Sequence, residues 1–140
     1  MNIKDISNVL YNHLNSSLLA DVPVAALILD SNDNVISIAK NSCIKNNPLY
    51  HAEIIVINDA LKNIYDLSKC TLVTSLEPCL MCYGAALNAN IKKIIYFARN
   101  LDEGAFSYFH TDTQKNNVII EYIEDLRFSN IIKDFFKKRR

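Results

Sequence analysis

Two glycines and three prolines are all that a chain of 140 residues contains. So few breakers predict long, uninterrupted elements joined by a small number of turns. Neither charge sign is in excess: 15 Lys and Arg face 15 Asp and Glu. The balance gives no global argument for a polyanionic partner, so any basic surface must be local. No apolar run approaches the ~20 residues of a membrane span. The first ten residues also lack the basic start and apolar stretch of a signal peptide. The expectation is a cytoplasmic chain without membrane association. Repeats, low-complexity tracts and linkers are missing too, which predicts one domain over residues 1–140.

Hydrophobic residues make up 50% of the chain. That suffices for one core and excludes disorder. Four cysteines are present, Cys43, Cys70, Cys79 and Cys82. In a reducing compartment such residues favour a metal over a disulfide.

Hydrophobic periodicity places a helix over residues 3–19, where Ile3, Ile6, Leu10, Leu14 and Leu18 recur at helical spacing. A strand over 24–29 and another over 35–39 flank the turn-forming Asp30-Ser31-Asn32-Asp33-Asn34. A buried helix follows over 51–65, then a strand over 71–75. A helix placed after Pro78 runs to about residue 88, with Pro78 suited to its first turn. Strands over 91–97 and 118–123 and a last helix over 129–138 complete the chain. Strands joined by helices predict an α/β layered fold with a partly parallel sheet, covered on both faces.

Four residues carry the chemistry: His51, Glu53, Cys79 and Cys82. Cysteines three apart at a helix start share one face, and the helix N-terminus favours the thiolate that binds metal. Alone, such a pair is a redox couple or two small buried hydrophobes. His51 adds a third ligand, the pattern of a catalytic zinc with an open fourth position. Glu53 lies two residues on, a spacing that points side chains apart inside a helix. Both reach one site only if His51 sits at the very start of its helix. Zinc lowers the pKa of a bound water from ~15.7 to about 7. A carboxylate that is not a ligand can then move that proton to the ring nitrogen and the leaving ammonia. His51-Ala52-Glu53 and Pro78-Cys79-Leu80-Met81-Cys82, with 27 residues between His51 and Cys79, together form the signature of zinc deaminases acting on cytosine or adenine. Cys43, Cys70, His13 and His110 have no partners at ligand spacing and are read as non-ligands.

With these residues in place, the chain resembles the bacterial tRNA adenosine deaminases, of the cytidine deaminase-like superfamily. The resemblance runs through Val22-Pro23-Val24-Ala25-Ala26-Leu27, His51-Ala52-Glu53-Ile54, Glu77-Pro78-Cys79-Leu80-Met81-Cys82-Tyr83-Gly84-Ala85, Arg99, Gly104-Ala105 and Phe135-Phe136-Lys137-Lys138-Arg139-Arg140. It implies a three-layer α/β/α sandwich with a mixed five-stranded sheet and one Zn2+ per subunit. It implies a homodimer, and conversion of the wobble adenosine of a tRNA anticodon stem-loop to inosine. Asn41 sits where the family has a substrate-contacting Asn; read from the residue alone, it caps a turn. Ala25, Tyr50 and Phe106-Ser107-Tyr108 depart from the family's pattern, are expected near the pocket mouth, and bear on substrate choice. Two other readings stay open: a deaminase of a free base or nucleoside (cytosine, guanine or cytidine), and a non-catalytic zinc-binding structural subunit. The basic tail, Lys137 to Arg140, is either a phosphate contact or a solvated end. Phe106, Tyr108 and Phe109 are candidates for base stacking, core or dimer contacts.

Overall fold

The computed structural model describes residues 2–16, 21–44 and 46–138. Its helices are α1 (Ile3–Leu14), α2 (Ala52–Leu61), α3 (Leu80–Asn88) and α4 (Leu126–Lys138). The strands are β1 (Ala25–Leu29), β2 (Val35–Lys40), β3 (Thr71–Thr74), β4 (Lys93–Tyr96) and β5 (Ile119–Tyr122). They form one sheet in the order β2-β1-β3-β4-β5. β1 is antiparallel to both β2 and β3, while β3, β4 and β5 run parallel. The sheet is therefore mixed, as expected.

Both faces are covered, because the strand residues alternate between two cores. Ala26, Ile28, Leu72 and Ile94 pack with Val56, Ile57 and Ala60 of α2 and Tyr83 and Ala86 of α3. Ala25, Leu27, Val73 and Ile95 pack with Ile6, Leu10 and Leu14 of α1 and Phe128 of α4. That makes three layers. All five residues of β1 are buried, which explains why its sequence is apolar without alternation.

The element boundaries follow local chemistry. Asn2 caps α1 by accepting the Asp5 N–H at 2.9 Å. Leu18 and Leu19, placed on this helix by periodicity, lie outside the described residues, as do Arg139 and Arg140. The β1–β2 turn is closed by Asp30, whose Oδ1 accepts the N–H groups of Asn32 and Asn34, each at 2.9 Å. Asp33 takes the left-handed conformation there, with φ of 62°. α2 stops at Leu61, four residues short of the expected end, where Tyr65 is fully exposed and offers no apolar contact. Its middle is not buried all round either: Val56 and Ile57 are buried, whereas Ile54 and Ile55 are half-buried. α4 begins three residues earlier than expected. Asp125 accepts the Arg127 N–H at 3.1 Å and holds its guanidinium at 2.8 Å, so the first turn forms on Leu126. None of the described helices is long and apolar enough to cross a membrane.

Candidate active site

Strands β2, β3 and β4 share one direction, since β2 and β3 are both antiparallel to the β1 between them. Their carboxyl ends deliver Asn41, the 75–79 segment and the 97–104 segment to one edge. The N-termini of α2 and α3 begin there. Open α/β sheets place ligand sites in this crevice.

His51 is the N-cap of α2, with φ −64° and ψ 150°, and Cys79 is the N-cap of α3, with φ −75° and ψ 175°. Pro78 consequently precedes the helix and is not part of its first turn, a correction to the expected boundary. At an N-cap the extended backbone breaks the helical spacing. That lets His51 and Glu53 approach one point although they are two residues apart. Cys82, on the first turn of α3, is buried. The Nδ1 of His51 lies 3.7 Å from Cys79 Sγ and 3.6 Å from Cys82 Sγ. All three atoms are within 4.8 Å of one another, a group that could hold a metal ion. Zinc bonds of ~2.3 Å to sulfur and ~2.0–2.1 Å to nitrogen, at tetrahedral angles, require S···N separations of about 3.6 Å. The donor set and its spacing both fit that ion.

The electrostatics fit as well. A hydrogen bond from Cys82, then one from His51, holds the Cys79 thiol down to about 4, so Cys79 is a thiolate. Donation to Cys79 and burial push Cys82 up. The hydrogen bond to Cys79 raises His51. A divalent cation at this point would take the place of protons shared among the three groups.

Glu53 is 3% exposed on the first turn of α2. Burial pushes its carboxyl up to about 7, opposed by His51. A group with that value exchanges protons readily at neutral pH. Beside it opens a cavity of about 770 Å³, lined among others by Asn41, His51, Glu53, Cys79 and Arg99. Asn41 accepts the Ala52 N–H through Oδ1 at 2.7 Å. It therefore caps α2 from a distance, and it is also one of the residues that line the cavity.

The departures from the family pattern fall in different places. Ala25 is fully buried in the core beneath α1 and α4, and its N–H donates to Ser75 Oγ at 3.0 Å. Tyr50 is 41% exposed and borders a separate, polar cleft between β2 and α2. Neither lies at the mouth of this cavity, contrary to expectation. Phe106 is half-buried, packing edge-on against Tyr83 and stacking on Tyr96 at the border of the core. Tyr108 and Phe109 are exposed and pack on each other. Cys70 is buried in the core. Cys43 lines the cavity without joining the ligand group.

Sequence reasoning assigned no role to Glu77. Its side chain is 1% exposed and accepts from the backbone N–H groups of Asn100, Phe106 and Ser107 at 3.2, 2.9 and 2.8 Å, and from the Ser107 hydroxyl. An acidic residue directly before Pro-Cys, at the end of an apolar strand, was the available signal.

The family model for MafB19-like deaminases matches residues 4–140. The chain is 38% identical to a tRNA-specific adenosine deaminase of Haemophilus influenzae over 130 residues, 87% of this chain and 75% of that protein. It is 37% identical to one of Rickettsia bellii over 131 residues, 86% and 89% of the two chains. A solved chain from structural studies of A-to-I editing by tRNA:A34 deaminases superposes with a TM-score of 0.72 at 25% identity, over 85% of this chain and 97% of that one. The guanine deaminase of Nitrosomonas europaea shares the fold, with a TM-score of 0.72 at 19% identity over 94% and 81%. The mixed five-stranded sheet, the paired helix N-termini and these relatives lead to one assignment: the chain belongs to the deaminase family of the tRNA-specific adenosine deaminases, with the cytidine deaminase-like fold.

Proposed function

We propose that this protein hydrolytically deaminates the wobble adenosine of a tRNA anticodon to inosine, with one Zn2+ held by His51, Cys79 and Cys82. The observation that carries the reading is the convergence of three N and S donors within 4.8 Å beside a buried Glu53. It occurs in a chain 38% identical to a tRNA-specific adenosine deaminase.

Zinc held by these residues would supply Lewis acidity that brings the pKa of a water to about 7. Glu53, which is not a ligand, takes one proton from the attacking water as it adds to C6 of adenine and passes it to N1. It then takes the second, from the new C6 hydroxyl, and passes it to the departing amino group, so that adenine and water become hypoxanthine and ammonia. Near-neutral proton affinity at Glu53 suits it to both directions of transfer. Asn41, oriented by its bond to the Ala52 N–H, faces the cavity with an amide that can hold a ring edge. The cavity, about 770 Å³, falls within the ~300–1,000 Å³ usual for small-molecule clefts, so a single flipped-out base fits.

RNA contact is supported at the C-terminus. Phe136 of α4 lines the cavity, and Lys137 and Lys138 follow it directly. Phosphates on either side of a flipped nucleotide would meet these cations. The homodimer rests on apolar surface near the site, where Leu80, Met81, Tyr108 and Phe109 are 37–55% exposed. The four cysteines are free, which suits a reducing cytoplasm. A structural zinc subunit is disfavoured, because such sites close with four protein ligands and have no use for a buried carboxylate. The test is inosine formation in an anticodon stem-loop, with free adenosine, cytosine and guanine alongside.

A further inference from the structure

Glu77 stands two residues before Cys79, and its carboxylate is saturated. Oε1 accepts from the Asn100 N–H and the Ser107 hydroxyl, and Oε2 from the Phe106 and Ser107 N–H groups. A carboxylate has about four acceptor sites, so every one is used. All four donors belong to one loop, residues 100–107. The same loop is fastened beside Cys79 by the Ala105 N–H, which donates to the Pro78 carbonyl at 2.9 Å, and by a bridge between Cys79 and Gly104. Gly104 makes the approach possible: a Cβ there would fall on Glu77 Oε2 and the Asn100 carbonyl. The clamped loop in turn forms a wall of the cavity through Asn100, Leu101, Asp102 and Glu103.

We propose that Glu77 is a positioning residue, whose carboxylate fixes the 100–107 loop as the substrate-facing wall of the cavity without touching the reacting base. Cys79 is set by the start of α3, whereas the loop wall is set by Glu77. Loosening the clamp therefore moves the wall and leaves the ligands in place. Binding suffers before the chemistry does. For its assay this inference rests on the deaminase reading above.

Glu77→Gln is the informative variant. A side-chain amide has one acceptor oxygen, and its NH2 is best placed on the Oε1 side, where the Ser107 hydroxyl can turn to accept. The contact with the Asn100 N–H then becomes donor against donor. In the zinc-loaded full chain, amide hydrogen exchange at Asn100 should accelerate at least about tenfold. Exchange at Val73 and Ile95 in the sheet stays as in the wild type. KM for the stem-loop should rise about tenfold while kcat stays within about threefold. Glu77→Asp keeps the charge with a shorter reach and falls between. Gly104→Ala presses on the same contact from the loop side and raises KM in the same way.

Unchanged KM in Glu77→Gln, or a loss of kcat at constant KM, would overturn the proposal. So would loss of zinc or folding in all three variants, which would make Glu77 a stability element. If the wild type does not turn over the stem-loop, the RNA reading fails separately. The Glu77 proposal is then decided by the exchange rates, and by KM on whichever base the wild type accepts.

Discussion

His51 and Cys79 occupy the same position on two different helices: each is the N-cap, in extended conformation, at the start of α2 and α3. The two helix N-termini meet at the carboxyl ends of β2 and β3. Each brings its positive end toward the Cys79 sulfur, where a helix N-terminus favours the thiolate form.

Metal dependence follows from that geometry. Purified protein should carry one zinc per chain. Cys82→Ala should reduce this to near zero, because two ligands remain, and should lower Tm by more than about 5 °C because metal binding is coupled to folding. Metal analysis and a thermal melt check it. Full zinc occupancy in Cys82→Ala would show that the ligand set is different.

Glu53 separates chemistry from binding. Glu53→Gln should lower kcat by at least about 10²-fold and leave the zinc content unchanged. Its stability should equal or exceed that of the wild type, since a neutral amide avoids the desolvation that pushes the carboxyl up to about 7. Near-normal turnover in this variant would remove Glu53 from the mechanism.

Much of this site was legible in the sequence. His51 had to begin its helix for Glu53 to share its site, and it does, as the N-cap. The five strands and four helices were legible as well, because β-branched runs and helical periodicity are local signals. What escaped depends on contacts across the fold. The early end of α2 reflects the exposure of Tyr65, which periodicity does not register. For Phe106 the sequence leaves base stacking, core and dimer contact open, and only its packing against Tyr83 and Tyr96 separates them. Glu77 finds its four donors 23–30 residues away along the chain, beyond the reach of any spacing rule.

Acid stability should show the Asp125–Arg127 pair. The hydrogen bond from Arg127 holds the Asp125 carboxyl below its ordinary value. A depressed folded-state pKa gives stability that is present above the unfolded value of ~3.9 and disappears as pH falls through the folded one. The pair is partly exposed, at 39% and 20%, so its contribution is at most about 1 kcal/mol. Asp125→Asn should therefore be less stable than wild type in urea melts at pH 7, with the difference shrinking as the pH falls below the unfolded value. A difference that stays constant on acidification would show that the pair acts by packing.

The basic end of α4 should govern the salt dependence. Removing residues 137–140 should weaken stem-loop binding and leave the zinc content intact. Single strands lose ~0.7 in log–log salt slope per phosphate contact, so four cations set a limit of about 3 on the flattening. Binding titrations across a salt series measure it, and an unchanged slope would assign the tail to solvent.

The central claim is tested most directly by one incubation. The zinc-loaded protein is mixed with an anticodon stem-loop carrying adenosine at the wobble position, and in parallel with free adenosine, cytosine and guanine. Nucleoside composition and released ammonia are then measured. The account predicts inosine at the wobble position, one ammonia per inosine, and no turnover of the free compounds. Rapid deamination of a free base with none in the RNA would contradict it.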